Sequence, residues 1–161
     1  MKYVRRVLLP GETIVHETGL HWLVYLRAII LLILGIVIAI AALSADLEYR
    51  IFVQALAGII LVLAAIDALV AFVRRVSTEL AVTDQRVIFK QGILARHTIE
   101  MNRSKVESVD VDQSVFGRIF GYGTVLVRGT GGSLEPFRGI ADPLTFRSYI
   151  TVDPVPLRSA G

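Results

Sequence analysis

The sequence predicts a membrane protein of α+β class. A transmembrane hairpin of two helices comes first, followed by an antiparallel β domain that ends in a short helix. Three observations carry this expectation. Two long apolar blocks stand close together, the pattern after Arg75 turns to alternation, and a helix-start signal, Asp142-Pro143, follows the last alternating run.

Composition agrees. Of 161 residues, 54% are hydrophobic, and mean hydropathy is +0.64, too apolar for an ordinary soluble domain of this size. The absence of cysteine excludes disulfides, iron–sulfur clusters and thiolate zinc sites. A net charge of +3 is a mild basic bias, well short of a nucleic-acid tail, so no nucleic-acid partner is expected.

The first apolar block is Trp22–Leu43 and the second is Ile51–Val73. At about 1.5 Å per residue each can cross roughly 30 Å of hydrocarbon. A signal peptide is a poorer reading of the first block, because the run is too long and a second follows at once. The link Ser44–Arg50 is short and carries Asp46 and Glu48 against Arg50, whereas Lys2, Arg5, Arg6, Arg74 and Arg75 flank the outer ends. The positive-inside rule then puts both termini in the cytoplasm. Trp22 and Tyr25 sit where interfacial anchors belong.

Arg27 and Asp67 interrupt the blocks. In an antiparallel hairpin both fall roughly 8–9 Å below the cytoplasmic boundary by helix rise. Matched depth suits an intramembrane ion pair; an ion-moving Asp67 would want more polar partners than the spans supply. Gly35, Ala39, Ala64, Ala68 and Ala71 suit close helix packing. Residues 1–21 form a cytoplasmic segment, with partial alternation after the Pro10-Gly11 turn, read as a strand or an interfacial segment.

Beyond Arg75, Thr78–Thr83 and Arg86–Gly92 alternate on either side of a Thr83-Asp84-Gln85 turn, which makes a hairpin. His97–Met101 and Lys105–Val111 follow, and apolar parity slips between Val106 and Val109, as at a bulge. Val115, Phe116, Ile119 and Phe120 then recur at helical spacing, with Gly121 at a C-cap position. Thr124–Gly129 and Ser133–Ile140 are further strands, joined through a turn at Gly129–Gly132. Pro136 suggests an edge. The last helix runs from Asp142–Pro143 to about Ile150, burying Phe146, Tyr149 and Ile150. Residues 151–161 form a tail rich in breakers.

The glycines of Gly121–Gly132 raise the question of a phosphate loop. That loop needs strand, glycines, then helix; here helix precedes glycines and strand, so no nucleotide is expected. His16, His21 and His97 do not form a metal-ligand pattern, Asp110 and Asp112 read as a solvated strand face, and Ser104, Ser108 and Ser114 lie in no nucleophile context. No catalytic residue, metal or cofactor is expected, and the chain reads as a non-enzyme.

Thr83-Asp84-x-Arg86, Gly92-Ile93, and Val111-Asp112-Gln113-Ser114 running into Gly117-Arg118 and Gly121-x-Gly123-Thr124 carry a family resemblance. Over about Ser77–Ile150 the chain resembles the bacterial membrane-flanked PH-like domains of the YdbS-like type. The resemblance implies a PH-like antiparallel barrel or sheet with a C-terminal helix at residues 77–150, preceded by paired transmembrane helices at 22–73. It also implies a binding or scaffolding module without catalytic residues. Asp84-Gln85-Arg86 does not supply the basic cluster of phosphoinositide-binding PH domains.

Two kinds of contact remain as candidates. From Arg74 onward, 12 basic residues face 9 acidic ones. Arg74 and Arg75, with the scattered Arg96, Arg103, Lys105, Arg118 and Arg128, could meet anionic headgroups at about 1 kcal/mol each. Val115, Phe116, Ile119, Phe120 and Tyr122 concentrate apolar surface. Core packing under the barrel is the favoured reading of that helix, because a short helix persists by burying a face. The functional reading makes it a face for a protein partner or for a second copy. The function expected is that of an adaptor or accessory subunit of a membrane complex; the alternatives are an anionic-lipid sensor and a self-assembling scaffold.

Overall fold

The computed structural model describes residues 3–44, 46–92, 97–130 and 134–151. Lys2, Ile93, Arg96, Gly131, Gly132 and the expected tail beyond Thr151 lie outside them. The chain divides into two compact units. One joins residues 1–21 to 77–161, and the other is Trp22–Val76.

Among the described residues, the first unit is built on seven antiparallel strands. β1 (Ile14–Thr18), β2 (Glu79–Thr83), β3 (Arg86–Gln91) and β4 (His97–Asn102) make one sheet in that order. β5 (Val106–Asp112), β6 (Tyr122–Gly129) and β7 (Leu134–Ala141) make the other. The parity slip foreseen in β5 is a register shift between Val106 and Ser108. Pro136 stands opposite Leu126 on β7, at the end of its sheet, where a missing N–H costs least.

Alternation places one face of each sheet on a common core. Leu80, Val82, Val87 and Phe89 meet Val109, Val125, Val127, Phe137 and Ile140. The Phe89 and Phe137 rings lie 4.5 Å apart. The terminal helix, Pro143–Thr151, closes this core with Phe146 and Ile150, both buried. Tyr149, expected in the buried stripe, is instead half exposed, and its ring stacks on His16 at 4.5 Å.

All five residues of β2 are buried, which alternation on one core face does not explain. The N-terminal segment covers the other face. Val4 of the short helix α1 (Val4–Val7) packs on Ala81 and Ile88, with Tyr3, Val7 and Ile14 around it. Residues 3–21 are thus a working part of the β unit. β1 pairs with β2 from Ile14 opposite Thr83 to Thr18 opposite Leu80.

The second unit is a pair of apolar helices. A 3-10 turn at Trp22–Tyr25 leads into α2 (Leu26–Ala41), and another at Ala42–Ser44 ends it. α3 runs Leu47–Ser77, starting earlier than the Ile51 boundary read from hydropathy, because Glu48 and Tyr49 extend it. An acidic residue in the first turn suits the positive helix end. Small residues line the contact: Ala28, Gly35, Ala57, Ala64 and Ala71 are buried. A Cβ at Gly35 would come within 2.7 Å of Leu61 Cδ2, so glycine sets how closely the helices approach.

Candidate interaction surface

The segment Asp112–Tyr122 folds into a capped single helix, α4 (Val115–Phe120). Ser114 opens it, its Oγ accepting the Gly117 N–H at 3.0 Å. Gly121 closes it in the left-handed region at φ 73°, and its N–H donates to the Gly117 carbonyl. Gln113 Nε2 donates to the Tyr122 carbonyl at 3.1 Å and reaches the Gly117 carbonyl at 3.5 Å.

Two glycines make this fold-back possible. A Cβ on Gly117 would lie 2.6 Å from the Tyr122 carbonyl oxygen, and one on Gly123 would lie 2.8 Å from the Asp112 carbonyl oxygen. Both obstacles are backbone, so neither can swing away. Glycine here serves close approach between α4 and β6 rather than any bound phosphate.

Held this way, α4 turns its apolar stripe outward. Val115, Phe116 and Ile119 are 72%, 67% and 70% exposed, and Phe120 is 47% exposed. The expected core packing of this helix is therefore corrected: only Gly117 is buried. The caps and the Gln113 amide satisfy the helix ends locally, so a buried apolar face is not what keeps it folded. Tyr122 is half buried and stacks on His21, with ring centroids 5.7 Å apart.

The other candidates lie elsewhere. Arg27 Nε is 2.8 Å from Asp67 Oδ2, joining α2 to α3, although no N–H is aimed along that oxygen. Arg27 is 82% exposed at its side chain and Asp67 25%. Arg74 and Arg75 are exposed in the last turn of α3, and the Arg75 guanidinium lies 5.8 Å from the centre of the Tyr25 ring.

A polar cluster that sequence reading did not single out fastens the N-terminal segment. Arg86 meets both oxygens of Glu12, Nε at 2.9 Å and Nη2 at 2.8 Å. Its Nη1 meets Glu100 at 2.6 Å, and Nη2 also donates to the Val7 carbonyl at 2.7 Å. Thr83 Oγ1 is 2.7 Å from Glu12 Oε1, and the Leu9 N–H donates to Oε2 at 2.8 Å. Burial alone would push the Glu12 carboxyl up. Hydrogen bonds from Arg86, Leu9 and Thr83, with the Arg86 charge, outweigh it and hold the pKa at about 2. The bond to Glu12 likewise raises Arg86. The clue in the sequence was Arg86 itself, an arginine in a tight turn next to buried strands, which needs a carboxylate. These groups bond to one another, so the cluster is a fastening.

The family described as Bacterial PH domain matches residues 8–152. That range takes in β1 and both apolar helices as well as the strands that follow. No curated protein and no solved structure matches the chain.

Proposed function

The chain belongs to the bacterial PH domain family, and from that premise we propose that it is a membrane-anchored, non-enzymatic adaptor or accessory subunit of a membrane protein complex. One observation carries the reading. The β unit is assembled from both sides of the apolar hairpin, so its sheet incorporates the residues immediately before the first apolar helix and immediately after the second. A module whose chain leaves and re-enters its own sheet on either side of the hairpin is suited to acting at the membrane.

The two helices support the anchor. Each is long and apolar enough to span, and only 17% of each apolar window is buried. A core helix of a water-soluble protein would be mostly covered; these present Ile33, Val37, Ile59 and Phe52 outward. Arg5, Arg6, Arg74 and Arg75 at the outer ends, against Asp46 and Glu48 at the connection, favour both termini on the cytoplasmic side of a bacterial inner membrane. The Arg27–Asp67 contact then acts as a clasp within the hairpin rather than an ion path.

The test is extraction of the full chain from its native membrane in mild detergent, with identification of what accompanies it. A second membrane protein in near-equal amount supports the accessory role. Recovery of the chain alone as a monomer would end it. The exposed Arg74 and Arg75 favour one alternative, a sensor of anionic lipid. In that case reconstitution in vesicles rich in phosphatidylglycerol should change the protection of the β unit in a salt-sensitive way, and phosphatidylcholine should not.

A further inference from the structure

We propose that the outward face of α4 is a membrane-docking surface, with Val115, Phe116, Ile119 and Phe120 seated in the lipid leaflet that receives the first span. The inference rests on the reading of Trp22–Val73 as a membrane hairpin.

His21 is the last residue of the β unit before the first apolar helix. Its ring stacks on Tyr122 with centroids 5.7 Å apart. Its N–H donates to the Gly139 carbonyl at 2.9 Å, Leu20 bridges Ile140, and the Ala141 N–H donates to the Gly19 carbonyl at 3.1 Å. His21 is therefore held to the sheet by hydrogen bonds on both sides of the preceding residue. The chain returns at the same place, since a Cβ on Gly19 would lie 4.0 Å from the Thr78 carbonyl oxygen.

Trp22 is one Cα step, about 3.8 Å, beyond His21. Phe120 precedes Tyr122 by two residues, a span of at most about 7 Å. The whole of α4 is only about 9 Å long. The polar layer of a leaflet is itself roughly 5–8 Å thick. With Trp22 at the hydrocarbon boundary, these lengths together put α4 within reach of that layer.

The chemistry suits lipid. Residues 115–122 contain no acidic side chain, and the lone basic one, Arg118, flanks the apolar stripe where its stem can reach the headgroups. Ser114, Gly121 and Gln113 satisfy part of the helix ends from within the chain, which lowers the cost of seating the helix in a leaflet. A protein partner could also cover four apolar side chains. The leaflet is favoured because the tether keeps it at hand at all times.

The chain has no cysteine, so single cysteines report local surroundings directly. Phe116→Cys, Ile119→Cys, Asp110→Cys and Val62→Cys alter exposed positions. Each full-length variant would carry a bimane label in phosphatidylcholine vesicles containing nitroxide lipid. Labels at 116 and 119 should be quenched by the lipid nitroxide and be about tenfold less accessible to aqueous iodide than the label at 110. Position 62 should follow the lipid quencher alone. If 62 is lipid-quenched while 116 and 119 are as open to iodide as 110, the docking surface is overturned and the hairpin stands. If 116 and 119 are shielded from iodide without lipid quenching, a second copy of the chain covers them, and the assignment to lipid is likewise overturned. Failure at 62 removes the hairpin, and the docking surface with it.

Discussion

Glu12 and Arg86 grip each other through two contacts, at 2.9 and 2.8 Å, across 74 positions of sequence that include both apolar helices. Arg86 is 14% exposed at its side chain and Glu12 is not exposed at all. The N-terminal segment and the first β hairpin are thereby one object, whatever the intervening chain is doing.

Breaking one side of this pair leaves a covered charge. Glu12→Ala should destabilise the β unit by about 3–5 kcal/mol, since Arg86, Thr83 and the Leu9 N–H lose their common acceptor. Glu12→Gln/Arg86→Met should recover part of that loss. Chemical denaturation of the detergent-solubilised chain measures both, and equal stability of Glu12→Ala and native protein would contradict the fastening role.

The same pair sets an acid limit. The folded-state pKa of Glu12, about 2, lies below the ordinary carboxyl value of 4.5. The folded state therefore binds fewer protons than the unfolded one. Its stabilisation is complete above about pH 4.5 and drains away as pH falls towards 2. Glu12→Gln should flatten the dependence of stability on pH in that window. An unchanged slope in the variant would assign the acid sensitivity to other carboxylates.

His16 works in the opposite sense of charge. Burial lowers its pKa below 6.5, partly opposed by the Asp142 carboxylate, so the folded state favours the neutral ring stacked on Tyr149. Its contribution is present above pH 6.5 and is lost as pH falls through the depressed folded value. Amide exchange in the helix Pro143–Thr151 should quicken as pH falls below 6.5, and His16→Phe should remove that change. Exchange that is insensitive to pH in the native chain, after correction for intrinsic rates, would count against it.

Two glycine substitutions should differ in sign. Gly117→Ala places a Cβ against the Tyr122 carbonyl and should cost about 1–3 kcal/mol or displace α4. Gly58→Ala meets nothing within 4 Å inside α3 and should stabilise that helix by up to about 1 kcal/mol. Thermal unfolding followed separately by tyrosine absorbance and by helical circular dichroism would tell the two apart.

The parts legible in the sequence were those written in local pattern. The hairpin β2–β3 followed from alternation around Thr83-Asp84-Gln85, and the irregularity in β5 from the slip after Val106. The stripe of α4 was visible, but its direction was not. Spacing of i, i+1, i+4 and i+5 looks the same whether it faces a core or the outside. The deciding information lay in Gly117 and Gly123, where backbone approaches backbone and sequence alone does not say why glycine is needed. The pairing of β1 with β2 was equally hidden, because Ile14 and Thr83 share no local signal. Glu12 was missed for the same reason, its partner standing 74 positions away.

That long-range pairing bears on biosynthesis. β1 leaves the ribosome well before β2 exists, and its edge must wait while the apolar helices are made. Helix packing that brings Tyr25 and Arg75 to 5.8 Å turns the gap between the two strands from some sixty flexible residues into two short connectors. A packed helix pair would thus serve as an internal assembly jig for the β unit. A version in which residues 22–76 give way to a Gly/Ser linker of equal length should complete its first sheet more slowly, even where the final sheet is the same.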